Sequence, residues 1–295
     1  METPEVGFLD VGVLLDASEP RPARGVFGFG VAIFAVIVLL SAALSAQSKA
    51  WSAVIELVSP LAMMAVIGVM MLYTSRTVQR RREEMKQLEA IEELMQLRRW
   101  REAAMMLQGI LSQPTRTPQA RAQALIYLSS VLSRYHRFSD AIAVQDHLLQ
   151  TIRFDDGTDY AIRLGRAMAM LREDHLVDAD RAMNELRRLT EDRDRAGLAL
   201  VELYRDVKTG HPEEAVAVFE RSLEALRDQL GHRVGDAYVL VAKAYDMLKL
   251  EVEARQMYEK ATLLEPVVEL ERRYPEVATL RTRYAVAPMP EGMAA

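Results

Sequence analysis

The five histidines, His136, His147, His175, His211 and His232, are the first residues to test for chemistry, because neutral imidazole is the commonest metal ligand. No two stand four apart, so one helix face cannot offer a pair to one ion, and no HExxH run occurs. Asp155, Asp156 and Asp159 are spaced loosely like a cation loop but lack the closing Glu at the twelfth position. That cluster reads as a turn between helices. Gly28 and Gly30 would open a dinucleotide fingerprint only if a third glycine stood where the chain has Ile33, and no strand pattern precedes them. The phosphate loop GxxxxGK[ST] is absent, and a chain with no cysteine has no thiolate nucleophile, thiolate metal site or disulfide. With no convergent acid, base and nucleophile, the chain reads as a non-enzyme requiring neither metal nor cofactor.

One carboxylate stands in an unusual setting. Glu56 is the single charge in the run 52–74, SAVIELVSPLAMMAVIGVMMLYT, and the run 26–46, VFGFGVAIFAVIVLLSAALSA, has none. At ~1.5 Å per residue the first run spans roughly the ~30 Å of bilayer hydrocarbon. Both therefore read as transmembrane helices, and the short loop 47–51 makes them an antiparallel hairpin with both ends on one side. Trp51 and Tyr73 flank the second span at interfacial depth. Glu56, near the start of that span, reads as interfacial, with an intramembrane role as the alternative. Pro60, one turn on, removes a backbone bond and loosens the helix. Arg76, Arg80, Arg81 and Arg82 follow the second span while the loop carries only Lys49, so the basic side is cytoplasmic. The basic run sets topology, and contact with anionic lipid headgroups is a second use open to it.

Composition agrees with a folded chain. Half the residues are apolar and 27% are charged, which excludes a disordered polymer. The net charge of −5 gives no general attraction to nucleic acid, and no small-molecule substrate is indicated. Only six of the 37 basic residues are Lys, a bias that suggests a GC-rich bacterial genome and hence the inner membrane, with both termini cytoplasmic.

From 84 onward apolar residues recur at steps of three and four, the period of helices, and no stretch alternates as a strand would. An acid followed by alanine recurs at Glu102-Ala103, Asp140-Ala141, Asp178-Ala179, Glu214-Ala215 and Glu253-Ala254, at intervals of 38, 38, 36 and 39 residues. Each acid suits the first turn of a helix, and each alanine lets a neighbouring helix come close. Four residues beyond the alanines stand Leu107, Gln145, Met183, Phe219 and Tyr258, on the same face. That stripe reads as core.

On these residues the chain resembles the tetratricopeptide repeat (TPR) family. The last unit carries the likeness through Tyr238, Val241, Ala242, Tyr245, Ala254, Tyr258, Ala261 and Pro266, and two earlier units share it around Ala103 and Ala141. Gln145 departs from the usual aromatic, and the two middle units need extra residues in the turn. With the transmembrane hairpin read from the apolar runs, the resemblance implies an all-α fold: that hairpin followed by a TPR-like α-solenoid of about five helix pairs over 84–268. A basic linker at 75–83 precedes it; a capping helix at 269–284 and a disordered tail at 285–295 follow. It also implies a concave surface that binds other proteins, whose first-helix positions here are Ile126, Ser130, Val239 and Lys243, with Asp236 and Asp246 nearby. These do not make a full carboxylate clamp, and the absence of cysteine excludes the subtype ending in a metal knuckle.

The function that follows is a membrane-anchored scaffold or adaptor, holding a partner protein at the cytoplasmic face. The alternative is an accessory subunit of a membrane transport, secretion or envelope-synthesis complex, with the hairpin as the working contact.

Overall fold

The computed structural model describes residues 6–20, 49–189 and 195–284, and between 49 and 80 only part of the side chains. Among the described residues every regular element is helical. Val11–Ala17 is α1, Lys49–Gln96 α2, Trp100–Leu111 α3, Pro118–Arg134 α4 and Phe138–Thr151 α5. Asp156–Arg172 is α6, Leu176–Leu189 α7, Arg195–Thr209 α8, Pro212–Leu230 α9, Val234–Met247 α10 and Glu251–Leu264 α11. Two short helices follow, α12 (Val267–Arg273) and α13 (Ala278–Tyr284), joined by a 3-10 turn at Pro275–Val277.

Among the described residues no helix is long and apolar enough to cross a membrane. The first apolar run, 26–46, lies outside them; the second, 52–74, has its backbone in α2 but most of its side chains, those of Glu56 and Pro60 included, outside them, as is the tail 285–295. The backbone helix α2 runs unbroken through Pro60 and on through 75–83, so the expected linker is helical and continuous with the first helix of the repeat region. Arg76, Arg81 and Arg82 are exposed on it.

The repeat legible in the sequence is physical. All five alanines, Ala103, Ala141, Ala179, Ala215 and Ala254, have no solvent exposure. Their acidic neighbours all fall in the first turn of a second helix, at α3, α5, α7, α9 and α11, next to the unpaired N–H groups. The turn before each of these helices is also repeated. Arg98, His136, Asp174, Gly210 and Lys249 have φ of 60°, 59°, 62°, 79° and 61°, and each stands five residues before its alanine. The next N–H donates to the carbonyl five residues back, as from Arg99 to Leu94 at 2.8 Å and from Leu250 to Tyr245 at 2.9 Å. This is a Schellman cap, which satisfies the end of the first helix and reverses the chain.

The chain forms two compact units, residues 1–140 and 141–295. In the first, Leu88 and Ile91 of α2, Leu107 and Leu111 of α3, and Leu125, Leu128 and Leu132 of α4 form the core. In the second, α6 to α11 pack as three antiparallel pairs around Leu171, Met183, Leu186, Leu203, Phe219 and Leu240. Gly231 closes α9 at φ 56° and ψ −125°, a region that is almost closed to side chains. No atom lies within 4 Å of a Cβ built there, so the cost of Gly231→Ala is backbone strain alone. We expect a loss of about 1–3 kcal/mol in urea unfolding; a change below about 0.5 kcal/mol would show that the turn relaxes freely.

Candidate interaction surfaces

In the first unit the N-terminal segment is a strap. Val6, Leu9, Val11 and Leu14 are buried, and α1 is capped by Asp10, whose carboxylate accepts from the Val13 N–H at 3.2 Å. Polar contacts tie the strap to α3, to α4 and to the turn before α5. Arg137 donates to the Val6 carbonyl at 2.9 Å and Gln108 to that of Phe8 at 3.3 Å. Buried Arg121 donates to Ser18 Oγ at 3.1 Å and to the Leu15 carbonyl at 2.8 Å. Both bonds lie at the C-terminal end of α1, where a cation meets the unpaired carbonyls of the last turn.

The strap ends beside the place where the chain returns. Thr115 donates to the Ser18 carbonyl from its N–H at 3.2 Å and from Oγ1 at 2.9 Å. The next residue, Arg116, donates its N–H to Glu84 Oε1 at 3.0 Å. Consecutive residues of one turn thus hold both ends of the 19–83 excursion. Glu83, Glu84, Gln87, Met106, Gly109 and Arg116 line an open cleft of about 530 Å³ beside the staple.

Of the residues expected to bind a partner, Ile126 and Ser130 lie in this unit, one turn apart on α4. Ser130 is exposed and Ile126 half-buried, with Ser130 Oγ donating to the Ile126 carbonyl at 3.2 Å. Ser129 Oγ donates to the same carbonyl at 2.8 Å.

Asp236, Val239, Lys243 and Asp246 lie in the second unit on α10, and the chain itself covers them. Asp236 is fully buried: Arg273 of α12 donates to its Oδ1 at 2.6 Å, and Arg233 approaches Oδ2 at 3.4 Å. The second Arg273 nitrogen stands 3.0 Å from Glu265. Burial opposes the Arg273 charge, but Asp236 and Glu265 outweigh it and hold the guanidinium above its ordinary pKa. Asp246 accepts from Arg283 at 2.6 Å and from the Tyr284 hydroxyl at 3.0 Å, while Lys243 donates to Thr279 at 3.0 Å. Val239 has no exposure. Asp236, Lys243 and Asp246 are therefore engaged by 265–284 while it is seated, and Val239 belongs to the apolar core.

The same segment reaches further along the first helices. Tyr274, with no exposure, packs edge-on against Tyr204 of α8, ring centroids 5.0 Å apart, and the Arg172 guanidinium of α6 lies 5.5 Å from its ring. Glu276 accepts from the Tyr204 hydroxyl at 3.2 Å and stands 3.4 Å from Lys208. Burial raises both phenols far above their ordinary range, with Glu276 reinforcing the effect on Tyr204, so both stay neutral. At the other end α13 packs on α10 and α11, where Tyr284 meets Tyr258 with centroids 6.3 Å apart.

The sequence predicts a capping helix at 269–284 but neither the surface it occupies nor the strap. Arg273 and Arg283 each stand 37 residues beyond the acid they reach, too far for any local pattern to pair them. Among the described residues no group of three or more His, Asp or Glu side chains is arranged to hold a metal ion. Compared with protein-family models, with curated proteins and with solved structures, the chain finds no match in any of the three.

Proposed function

We propose that the chain is a membrane-anchored scaffold of the tetratricopeptide repeat type, a non-enzyme that holds a partner protein at the cytoplasmic face of a bacterial inner membrane. The repeat carries this reading: the same Schellman turn, acidic first turn and buried alanine occur five times. Stacked helix pairs expose extended faces suited to contact, whereas catalysis needs convergent polar groups. The anchor is the apolar pair 26–46 and 52–74. The staple supports it, because Thr115 and Arg116 hold both ends of the excursion together, as two crossings of one bilayer require.

Because the chain has no cysteine, single introduced thiols report topology directly. In intact cells Ser48→Cys should react with an impermeant thiol reagent and Ser139→Cys should not. The reverse pattern would overturn the cytoplasmic assignment. Cross-linking of the full-length protein in cells then tests the scaffold: links from the repeat region to one cytoplasmic protein support it. Links confined to the apolar pair and other membrane proteins would instead favour an accessory subunit of a transport, secretion or envelope-synthesis complex.

A further inference from the structure

The segment Glu265–Tyr284 is attached to the second unit in an uneconomical way for a mere cover. A helix that only shields an apolar face needs apolar residues, since buried ion pairs contribute little net stability over well-packed hydrophobic ones. Here Asp236, fully buried, and Asp246 present anions near one end of the covered surface, and Lys208 and Arg172 present cations near the other. The segment answers with Arg273 and Arg283 at the acidic end and Glu276 at the basic end. Between them Tyr274 fills an aromatic slot against Tyr204. Such an arrangement fixes register and direction, which is what recognition of a particular peptide requires.

We propose that the face formed by α6, α8 and α10 is a peptide-binding groove whose ligand in cis is the chain's own segment 265–284. The partner it fits is a segment of the same chemistry, in which an arginine directly precedes a buried aromatic and an acid follows two residues later, as in Arg273-Tyr274-Pro275-Glu276. The groove is closed while the cis segment is seated and opens to a partner that displaces it. This rests on the repeats being a binding array and adds the ligand chemistry and the device that controls access. Because the competitor is tethered, its effective concentration is on the order of millimolar, and a free peptide meets the intact chain at a corresponding disadvantage.

Exposed Leu263, at the end of α11, gives a place to break the tether. A protease site is inserted after it in the full chain, which is purified, folded and then cut, leaving the segment in place without a covalent link. A fluorescent synthetic peptide of residues 265–284 is added and anisotropy followed. The cut chain should exchange its segment for the labelled peptide and bind it at least about tenfold more tightly than the uncut chain. Glu276→Ala or Arg273→Ala in the peptide should weaken that binding severalfold. Failure to exchange within a day, or equal affinity for cut and uncut chain, would show a fixed cap and overturn the proposal. Should cutting unfold the chain, as circular dichroism would reveal, the uncut chain with Glu276→Ala in cis is used instead. It should bind the wild-type peptide severalfold more tightly than the unaltered chain, and unchanged affinity overturns the proposal. A cytoplasmic partner cross-linked in cells without peptide exchange would sink this inference and leave the scaffold standing. Exchange without any captured partner would do the opposite.

Discussion

Arg273→Ala is expected to destabilise the second unit by about 3 kcal/mol, at the lower end of what removing one member of a buried ion pair costs. Asp236 has no solvent exposure and Glu265 4%, and Arg273 reaches both, at 2.6 and 3.0 Å. Without the guanidinium both carboxylates lose their closest cation in a dry site, and Asp236 keeps only Arg233 at 3.4 Å nearby. The loss is bounded because the chain has a cheaper response than keeping both anions buried: α12 lifts away and water reaches both acids. The bound is then set by what seating 265–284 contributes, which includes burial of Leu270, Tyr274, Val277 and Leu280. Urea unfolding should show the loss, and limited proteolysis should find new cuts within 265–284 before the rest of the unit opens. Arg273→Lys should recover only part of it, since a single ammonium lacks the planar fork that meets two acids at once. Adding Asp236→Asn to Arg273→Ala should restore some stability, because one of the two buried acids is then neutral. A loss below about 1 kcal/mol, within the range of exposed pairs, would mean that Asp236 is hydrated and the segment loosely seated.

The helix pairs and their packing faces were legible because the forces that set them are local. An acid beside unpaired N–H groups and a small residue where two helices cross are needed once per pair, and the five acid–alanine dipeptides became five first turns with fully buried alanines. The reversals were less legible. Of the five left-handed turn residues only Gly210 lacks the Cβ that such a backbone disfavours, while Arg98, His136, Asp174 and Lys249 adopt it within the same 6→1 hydrogen-bonded turn. Residue type is a poor guide where tertiary structure supplies the conformation. The α10 positions Asp236, Lys243 and Asp246, expected to meet a partner protein, are engaged by the chain's own 265–284. Nothing local to α10 says what will cover it. The strap left a clearer trace, Asp10 as a cap followed by apolar Val11 and Leu14, overshadowed by the far stronger apolar run that begins at Val26.

Arg121→Ala should release that strap, at a cost of about 2 kcal/mol to the first unit. Hydrogen bonds to a charged group contribute ~1.5–3 kcal/mol net, and two made by one guanidinium are coupled, so their sum is not expected. Both acceptors, Ser18 Oγ and the Leu15 carbonyl, lie at the end of a seven-residue helix too short to be stable unaided. Losing its C-terminal contacts therefore frees α1 as a whole rather than one turn of it. Hydrogen exchange should accelerate across 6–20 while the amides of α3 and α4 keep their protection. Gln108→Ala is the matched control: its bond to the Phe8 carbonyl is exposed and 3.3 Å long, so the change should stay within about 0.5 kcal/mol and leave exchange of the strap unaltered. Arg121→Lys, with one compact charge, can satisfy one acceptor at a time and should fall between the two. The staple gives the variant a second consequence. With α1 free, Thr115 loses the context that brings it the Ser18 carbonyl, and the 19–83 excursion is held at its Glu84 end alone. If the two apolar runs cross the membrane independently of the strap, Ser48→Cys labelling in the Arg121→Ala background stays as it is in the parent. If the strap sets the first crossing, that labelling drops and the N-terminal segment becomes reactive from the opposite side. Unchanged exchange at 6–20 in Arg121→Ala would show that burial of Val6, Leu9, Val11 and Leu14 holds the strap without the guanidinium.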